Sequence, residues 1–342
     1  MSAELTGAAP VETVDEPPPP PGRHTRRGSA VGVVLGYSTL LGMALVLVAI
    51  QLLRPTFLSA ANVGSVLTQS AVLVVLAAGL SIVMAMRGLD LSLAQVADLA
   101  GYVAALMVLR GTNLLLVVAA ALVVGLAAGA FNGVLSAYLG VPAIVSTLGT
   151  SLVLQAIELV VSNNGQPQSL FSAPAGITPG FLAIGDARLG GIPILIWVAA
   201  LVALVLWLVT RRSVLGRYAD ALEVSSRAAY LAGVPVRRVF LTGFVISGTM
   251  AALGGLLLTS RTGIAAPGSV QPYLLDAFTA VYLGAMASPR PVVRVSWTVV
   301  GAVFVTLLAN GLTLLGLGAP YRYGLNGLLI LLALALGARR RT

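Results

Sequence analysis

Residues 132–149, NGVLSAYLGVPAIVSTLG, come back as residues 310–327, NGLTLLGLGAPYRYGLNG. Asn132-Gly133, Gly140, Pro142 and Gly149 fall on Asn310-Gly311, Gly318, Pro320 and Gly327, every pair at one constant offset and without a gap. The same offset carries Asp98 onto Asp276. Glycine and proline punctuate a backbone at defined places, so five matched positions read as one structural unit built twice. Chance matches among the chain's 38 glycines are the competing reading.

Around the repeat the sequence is nearly unbroken hydrocarbon. Hydrophobic residues make up 58% of the 342 and charged residues 9%, and the mean hydropathy is +0.99, which indicates an integral membrane protein rather than a soluble enzyme. A hydrocarbon core about 30 Å thick takes roughly 20 apolar residues as a helix. Ten stretches qualify or nearly qualify, at 30–53, 66–86, 91–109, 113–139, 142–161, 192–209, 239–259, 273–287, 292–315 and 323–338. The expected fold is an all-α integral membrane domain over residues 30–338 with about ten transmembrane helices. The eighth stretch is short, so nine spans is the alternative. The offset of the repeat crosses five spans, an odd number, so the two copies enter the membrane in opposite senses. Inverted repeats of this kind typify transport proteins, with the pathway between the halves.

Arginine sets the orientation. With the N-terminus inside, fifteen of the twenty arginines fall in cytoplasmic segments and five outside, as the positive-inside rule asks of a plasma-membrane protein with both termini in the cytoplasm. The long loop at 162–191 then faces the extracytoplasmic side. Residues 1–29, with the proline run Pro17 to Pro21, cannot bury a core and read as a disordered cytoplasmic tail. Residues 339–342 read as a short Arg-rich cytoplasmic tail. The lead does not read as a cleavable signal peptide, because its basic residues follow a long acidic, proline-rich stretch and no small-residue cleavage site follows the first apolar run.

The missing residue types exclude much chemistry. Lysine is absent, which removes a P-loop lysine, a Schiff-base lysine and a lysine general base. Cysteine is absent and the one histidine, His24, lies in the tail, so thiolate chemistry, disulfides and the usual zinc sites go too. An enzyme is not expected, nor a cofactor. The net charge of +9 needs no nucleic-acid partner, since the arginines sit at span ends and no soluble domain carries a basic face; membrane lipid is the partner that composition demands.

One polar island interrupts the hydrocarbon, Arg211 to Arg238, RRSVLGRYADALEVSSRAAYLAGVPVRR, with six arginines. Leu215 to Glu223 suits a short amphipathic helix, and Ser225 or Ser226 can N-cap a second that stops at Gly233 before Pro235. The island is either a solvated connection between two spans or a helix-turn-helix ledge for a cytoplasmic partner.

Intramembrane acids are costly and usually face a cavity or a partner. Asp90, in Gly88-Leu89-Asp90-Leu91-Ser92, is expected to be structural, capping the third helix and pairing with Arg87, with Gly88 in the same turn. Asp98 and Asp276 sit deeper, and either serve a polar pathway or satisfy backbone groups of a broken helix. Glu158, near the outer end of its helix, is expected at the rim. Gln69, Asn132, Thr147 and Asn310 are uncharged candidates for lining the passage, with interhelical hydrogen bonding as their alternative role.

These residues together resemble the permease subunit of monosaccharide-type ABC importers, the family of the ribose and xylose permeases, over about residues 57–338. Its marks are the Gly88 to Ser92 turn, Gly129-Ala130-Phe131-Asn132-Gly133, Asn164-Gly165-Gln166-Pro167, Gly190-Gly191-Ile192-Pro193, Leu275-Asp276-Ala277 and Asn310-Gly311-Leu312. In the island, Leu215-Gly216-Arg217 and Ala228 to Val234 look like the family's coupling segment. The resemblance implies a type II ABC importer fold, a separate ATPase subunit, an extracytoplasmic solute-binding protein and a second permease, alike or different. It also implies that Gly216, Arg217, Ala228, Ala229 and Gly233 form the ledge that docks on the ATPase. Glu223-Val224-Ser225 stands where the family has a Gly-Gly-Asn turn, and Ser288-Pro289-Arg290-Pro291 where it has a glycine-rich loop; these changes favour a different permease as partner. Asp98 is also unusual there. The rival readings are a nucleoside or branched-chain amino acid ABC permease, and a secondary transporter that couples protons through Asp98 or Asp276.

Overall fold

The computed structural model describes residues 30–172, 178–288 and 292–339. The readings for residues 1–29, 289–291 and 340–342 lie outside the described residues. Each of the ten expected stretches contains a helix. Helices α1 (Ala30–Leu53), α2 (Ala60–Ala85), α3 (Leu93–Leu109), α4 (Leu114–Ala137) and α5 (Ala143–Val161) lead to a loop holding β1 (Gln168–Ser169), a 3-10 turn (Leu170–Ser172), α6 (Thr178–Asp186), β2 (Arg188–Leu189) and β3 (Ile192–Pro193). Then come α7 (Ile194–Arg212), the short α8 (Val214–Val224) and α9 (Ser226–Leu231) of the island, α10 (Val236–Thr262), β4 (Ile264–Ala265), α11 (Gln271–Ala287), α12 (Val295–Leu314) and α13 (Ala319–Arg339). Strands β2 and β3 form a hairpin, and β1 pairs antiparallel with β4. That second pairing ties the long loop to the turn between α10 and α11.

The punctuation seen in the sequence places the ends. Asn113 caps α4 by accepting from the Leu115 N–H at 2.8 Å. Pro142, Pro193 and Pro235 precede α5, α7 and α10, where a missing N–H costs nothing. Helix α10 ends at Gly263, whose φ of 66° suits the left-handed cap that glycine adopts without strain.

The repeat is physical. The offset that relates the two copies carries both ends of α3, Leu93 and Leu109, onto both ends of α11, Gln271 and Ala287, and α2, α4 and α5 correspond to α10, α12 and α13. The copies interlock: α10 packs on α4 and α3 of the first half, and α2 packs on α12 and α11 of the second. Glycine permits the close approach. A Cβ on Gly254 would meet Leu76 at 2.5 Å, one on Gly79 would meet Met250 at 2.5 Å, and one on Gly243 would meet Met86 at 2.8 Å. Residue numbers rise along α2 as they fall along α10, so these equivalent helices run antiparallel and the repeat is inverted. Without a hydrophobic drive between helices in lipid, such small-residue contacts supply the association.

Among the described residues six helices, α2, α4, α5, α7, α10 and α12, are long and apolar enough to cross a membrane, while α3 and residues 37–53 of α1 are shorter apolar helices. Helices α3 and α11 each have 17 residues, roughly 26 Å at 1.5 Å per residue, less than the hydrocarbon depth. The short eighth stretch is therefore matched by a short third one, as the repeat requires. Helices α2 and α10 are the most buried of the six and α7 the least.

Candidate functional site

The turn between α2 and α3 collects four of the expected residues, Gly88, Asp90, Asn132 and Thr147. Asp90 Oδ1 accepts from the Ser92 N–H at 3.1 Å and from the Ser92 hydroxyl at 2.7 Å, and Asp90 Oδ2 accepts from Ser247 of α10 at 2.7 Å. Asn132 donates to the Ser92 hydroxyl at 2.8 Å and accepts from Thr150 at 2.6 Å. Thr147 accepts from the Leu91 N–H at 3.1 Å. Asp90, Ser92, Asn132, Thr147 and Thr150 are all buried, so this chain of hydrogen bonds joins α3, α4, α5 and α10. It satisfies its members rather than lining open space.

The expected pair between Asp90 and Arg87 is not made. Arg87 sits at φ 63°, in the left-handed region, and its guanidinium reaches the island: Nε donates to the Glu223 carbonyl at 2.9 Å and Nη2 to the Val224 carbonyl at 3.3 Å. Glu223 in turn accepts from the Val293 N–H before α12 at 3.2 Å. Nor does Asp90 cap α3, whose N-cap is Ser92. In the same turn a Cβ on Gly88 would meet Val83 at 2.7 Å.

A second cluster forms where α3 meets the start of α11. Asp98 Oδ1 accepts from the Ser269 hydroxyl at 3.0 Å and the Val270 N–H at 2.9 Å. Gln271 donates to Gln95 at 2.9 Å, and Gln95 donates to Glu158 of α5. Glu158 is 1% exposed, which corrects its placement at the rim: Gln95 offers a partner inside that no helical spacing announces. Asp98 Oδ2 and Glu158 Oε1 are buried and have no hydrogen-bond partner.

The repeat-related Asp276 is held differently. It pairs with Arg322 and accepts from Asn326, both of α13. Asn310 and Asn62 of α2 exchange hydrogen bonds at 2.9 and 3.1 Å, and Gln69 donates to Ser65 at 3.0 Å. Of the six residues singled out for a passage, Asn132 and Thr147 meet at the turn between α2 and α3, and Gln69, Asp98, Asp276 and Asn310 lie in separate clusters.

In the island, Ser225 caps α9 by accepting from the Ala228 N–H at 3.2 Å, and Gly233 ends it at φ 83°. Gly216 and Ala229 are buried, whereas Arg217, Ala228 and Gly233 are exposed. A Cβ on Gly216 would fall inside the Thr210 backbone, so α8 folds tightly under α7. Val224, Tyr230 and Leu231 are 80%, 70% and 74% exposed, an apolar group on an otherwise polar ledge.

The family profile described as branched-chain amino acid transport system, permease component, matches residues 62–334. The chain belongs to this permease family. The ribose import permease of Haemophilus influenzae is 32% identical over 295 residues, 86% of this chain and 90% of its own. The galactose/methyl galactoside import permease of Escherichia coli is 32% identical over 308 residues, 85% and 91% of the two chains, and its D-allose transport system permease 30% over 302, 88% and 90%. No solved structure matches the chain.

Arg87 links the island to the Gly88 to Ser92 turn, and the Asp90 network carries that turn into α4, α5 and α10. The sequence pointed to the turn and to the island but not to their connection; the signal was Arg87 itself, the one basic residue between the second and third spans.

Proposed function

We propose that this permease is the transmembrane subunit of an ATP-binding-cassette importer in the plasma membrane, and that it translocates a monosaccharide by alternating access. The carrying observation is the ledge, which exposes Val224, Tyr230 and Leu231 to water and is clamped to the membrane helices through Arg87 and Glu223. Exposed apolar residues rimmed by arginine suit a protein partner. The chain has no lysine for a P-loop, so ATP is bound and hydrolysed on a separate ATPase subunit. That subunit moves α8 and α9, and the clamp passes the motion to the inverted halves.

Arg217, Ala228 and Gly233 form the docking face, with Gly216 and Ala229 packing it from beneath. A solute-binding protein delivers the substrate on the outer side, and a second permease completes the pathway. Monosaccharide is the substrate class because relatives covering most of the chain are ribose, allose and galactose permeases. The buried networks of Asp98, Asn132 and Asp276 hold the walls of the passage in register. One rival has support of its own: the unpartnered oxygens of Asp98 and Glu158 suit a proton-coupled transporter.

Affinity purification from the native membrane in mild detergent, with and without Ala228→Trp, tests the reading. Ala228 is exposed, so tryptophan there blocks a surface without filling the core. A P-loop ATPase identified by mass spectrometry in the wild type and lost in the variant is the expected result. Absence of an ATPase from both samples, with uptake abolished by an uncoupler while ATP persists, would shift the assignment to proton coupling.

A further inference from the structure

A cavity of about 480 Å³ opens between α2, α7, α8 and the start of α12, at the end of the bundle that carries the ledge. Arg211 and Arg294 stand in its wall together with Trp207 and Trp297. Arg211 lies over the Trp207 ring at 5.2 Å from its centroid, which holds the guanidinium at aromatic-belt level. Arg294 is the N-cap of α12, whose first turn has no acidic residue, so the unpaired N–H groups and positive dipole end of a 20-residue helix add to the wall's charge.

Asp220 is the opposing group in the wall. Its contact with Arg294 is 3.7 Å long between side chains 57% and 46% exposed, a surface pair that leaves the guanidinium free to take a better partner. The cavity therefore favours an anion. Arg211 of the wall also heads an apolar track. On α7, Trp197, Leu201, Leu204 and Leu208 are all exposed, at 48%, 61%, 51% and 40%, and their spacing of four, three and four residues puts them on one helix face. Three residues further along that face is Arg211.

We infer that this cavity binds the headgroup of an anionic phospholipid of the leaflet adjoining the ledge, with the phosphate between Arg211 and Arg294 and an acyl chain along the Leu204 and Leu208 end of that face of α7. Basic pockets between membrane helices take lipid headgroups in this manner. A soluble phosphate would use the same two arginines but would leave the apolar track idle. Because Gly216, Ala219 and Asp220 of α8 line the cavity, the bound lipid supports the ledge from the membrane side.

Native mass spectrometry of the purified, delipidated protein offered phosphatidylglycerol and phosphatidylcholine of identical acyl chains tests this. Phosphatidylglycerol is expected to be retained in preference. Arg211→Gln and Arg294→Gln are each expected to lower its retention about fivefold, while Arg212→Gln, a residue outside the cavity wall, leaves it unchanged. Equal retention of the two lipids, or an equal loss in Arg212→Gln, would overturn the site. Displacement of phosphatidylglycerol by millimolar inorganic phosphate would overturn the lipid as its occupant. A photoactivatable phosphatidylglycerol needs no variant: crosslinks to peptides containing Trp207 or Trp297 are expected, and crosslinks confined to other peptides would refute the inference.

Discussion

Asp276 is 1% exposed in the second turn of the apolar helix α11, and its charge is matched by Arg322. Removing one member of such a pair strands the other in low dielectric, whereas removing both does not. Arg322→Leu is therefore expected to destabilise the protein by about 3 kcal/mol, and Asp276→Asn combined with Arg322→Leu to recover most of that loss. The unfolding midpoint of the three proteins in one detergent measures it, and a double variant no better than the single would mean that the pair is not what compensates the buried acid. The sequence singled out Asp276 as expensive but did not name its partner, 46 residues away on α13. Asp98 occupies the same place in the first half, yet its partners come from the start of α11. Composition and spacing locate a buried acid; the tertiary fold chooses what satisfies it.

At the level of helices, the contacts around α10 decide stability. A Cβ on Gly248 would fall inside the Gly125 carbonyl and within 2.9 Å of Gly129, whereas one on Gly149 of α5 would meet nothing within 4 Å. Overpacking a close interface costs about 1 to 3 kcal/mol. Gly248→Ala is thus expected to destabilise the protein by that amount, read from the unfolding midpoint in one detergent, and Gly149→Ala not to destabilise it, although Gly149 is the one that the repeat marks. An equal loss at both positions would mean that the α4–α10 approach is not what sets the cost, since helix propensity alone favours alanine over glycine. The ten apolar stretches and the two short helices of the island were legible because hydrocarbon length, proline and glycine act locally. Helix α6 and the β1–β4 pairing were not. Strands of two residues have no periodicity, and their partners are joined through tertiary contacts that a local pattern does not encode.

Across the whole molecule, the inverted repeat requires that one turn, used twice, stands on opposite sides of the membrane. Val141 lies in the turn between α4 and α5, and Ala319, its counterpart at the offset of the repeat, begins α13 after the equivalent turn. The antiparallel contact of α2 with α10 demands the inversion, and the proposed direction rests on the positive-inside rule. Because the chain contains no cysteine, single substitutions report location without background. Ala319→Cys is expected to react with a membrane-impermeant maleimide in intact cells, and Val141→Cys only after permeabilisation. Labelling of both from the outside would break the inversion, and with it the placement of a passage between the halves. The opposite pattern, with Val141→Cys labelled and Ala319→Cys protected, would keep the inversion and reverse the orientation, putting the α8–α9 ledge outside the cell and beyond the reach of any cytoplasmic ATPase. The two substitutions therefore separate the architecture, which helix packing dictates, from its direction, which rests on where the arginines lie.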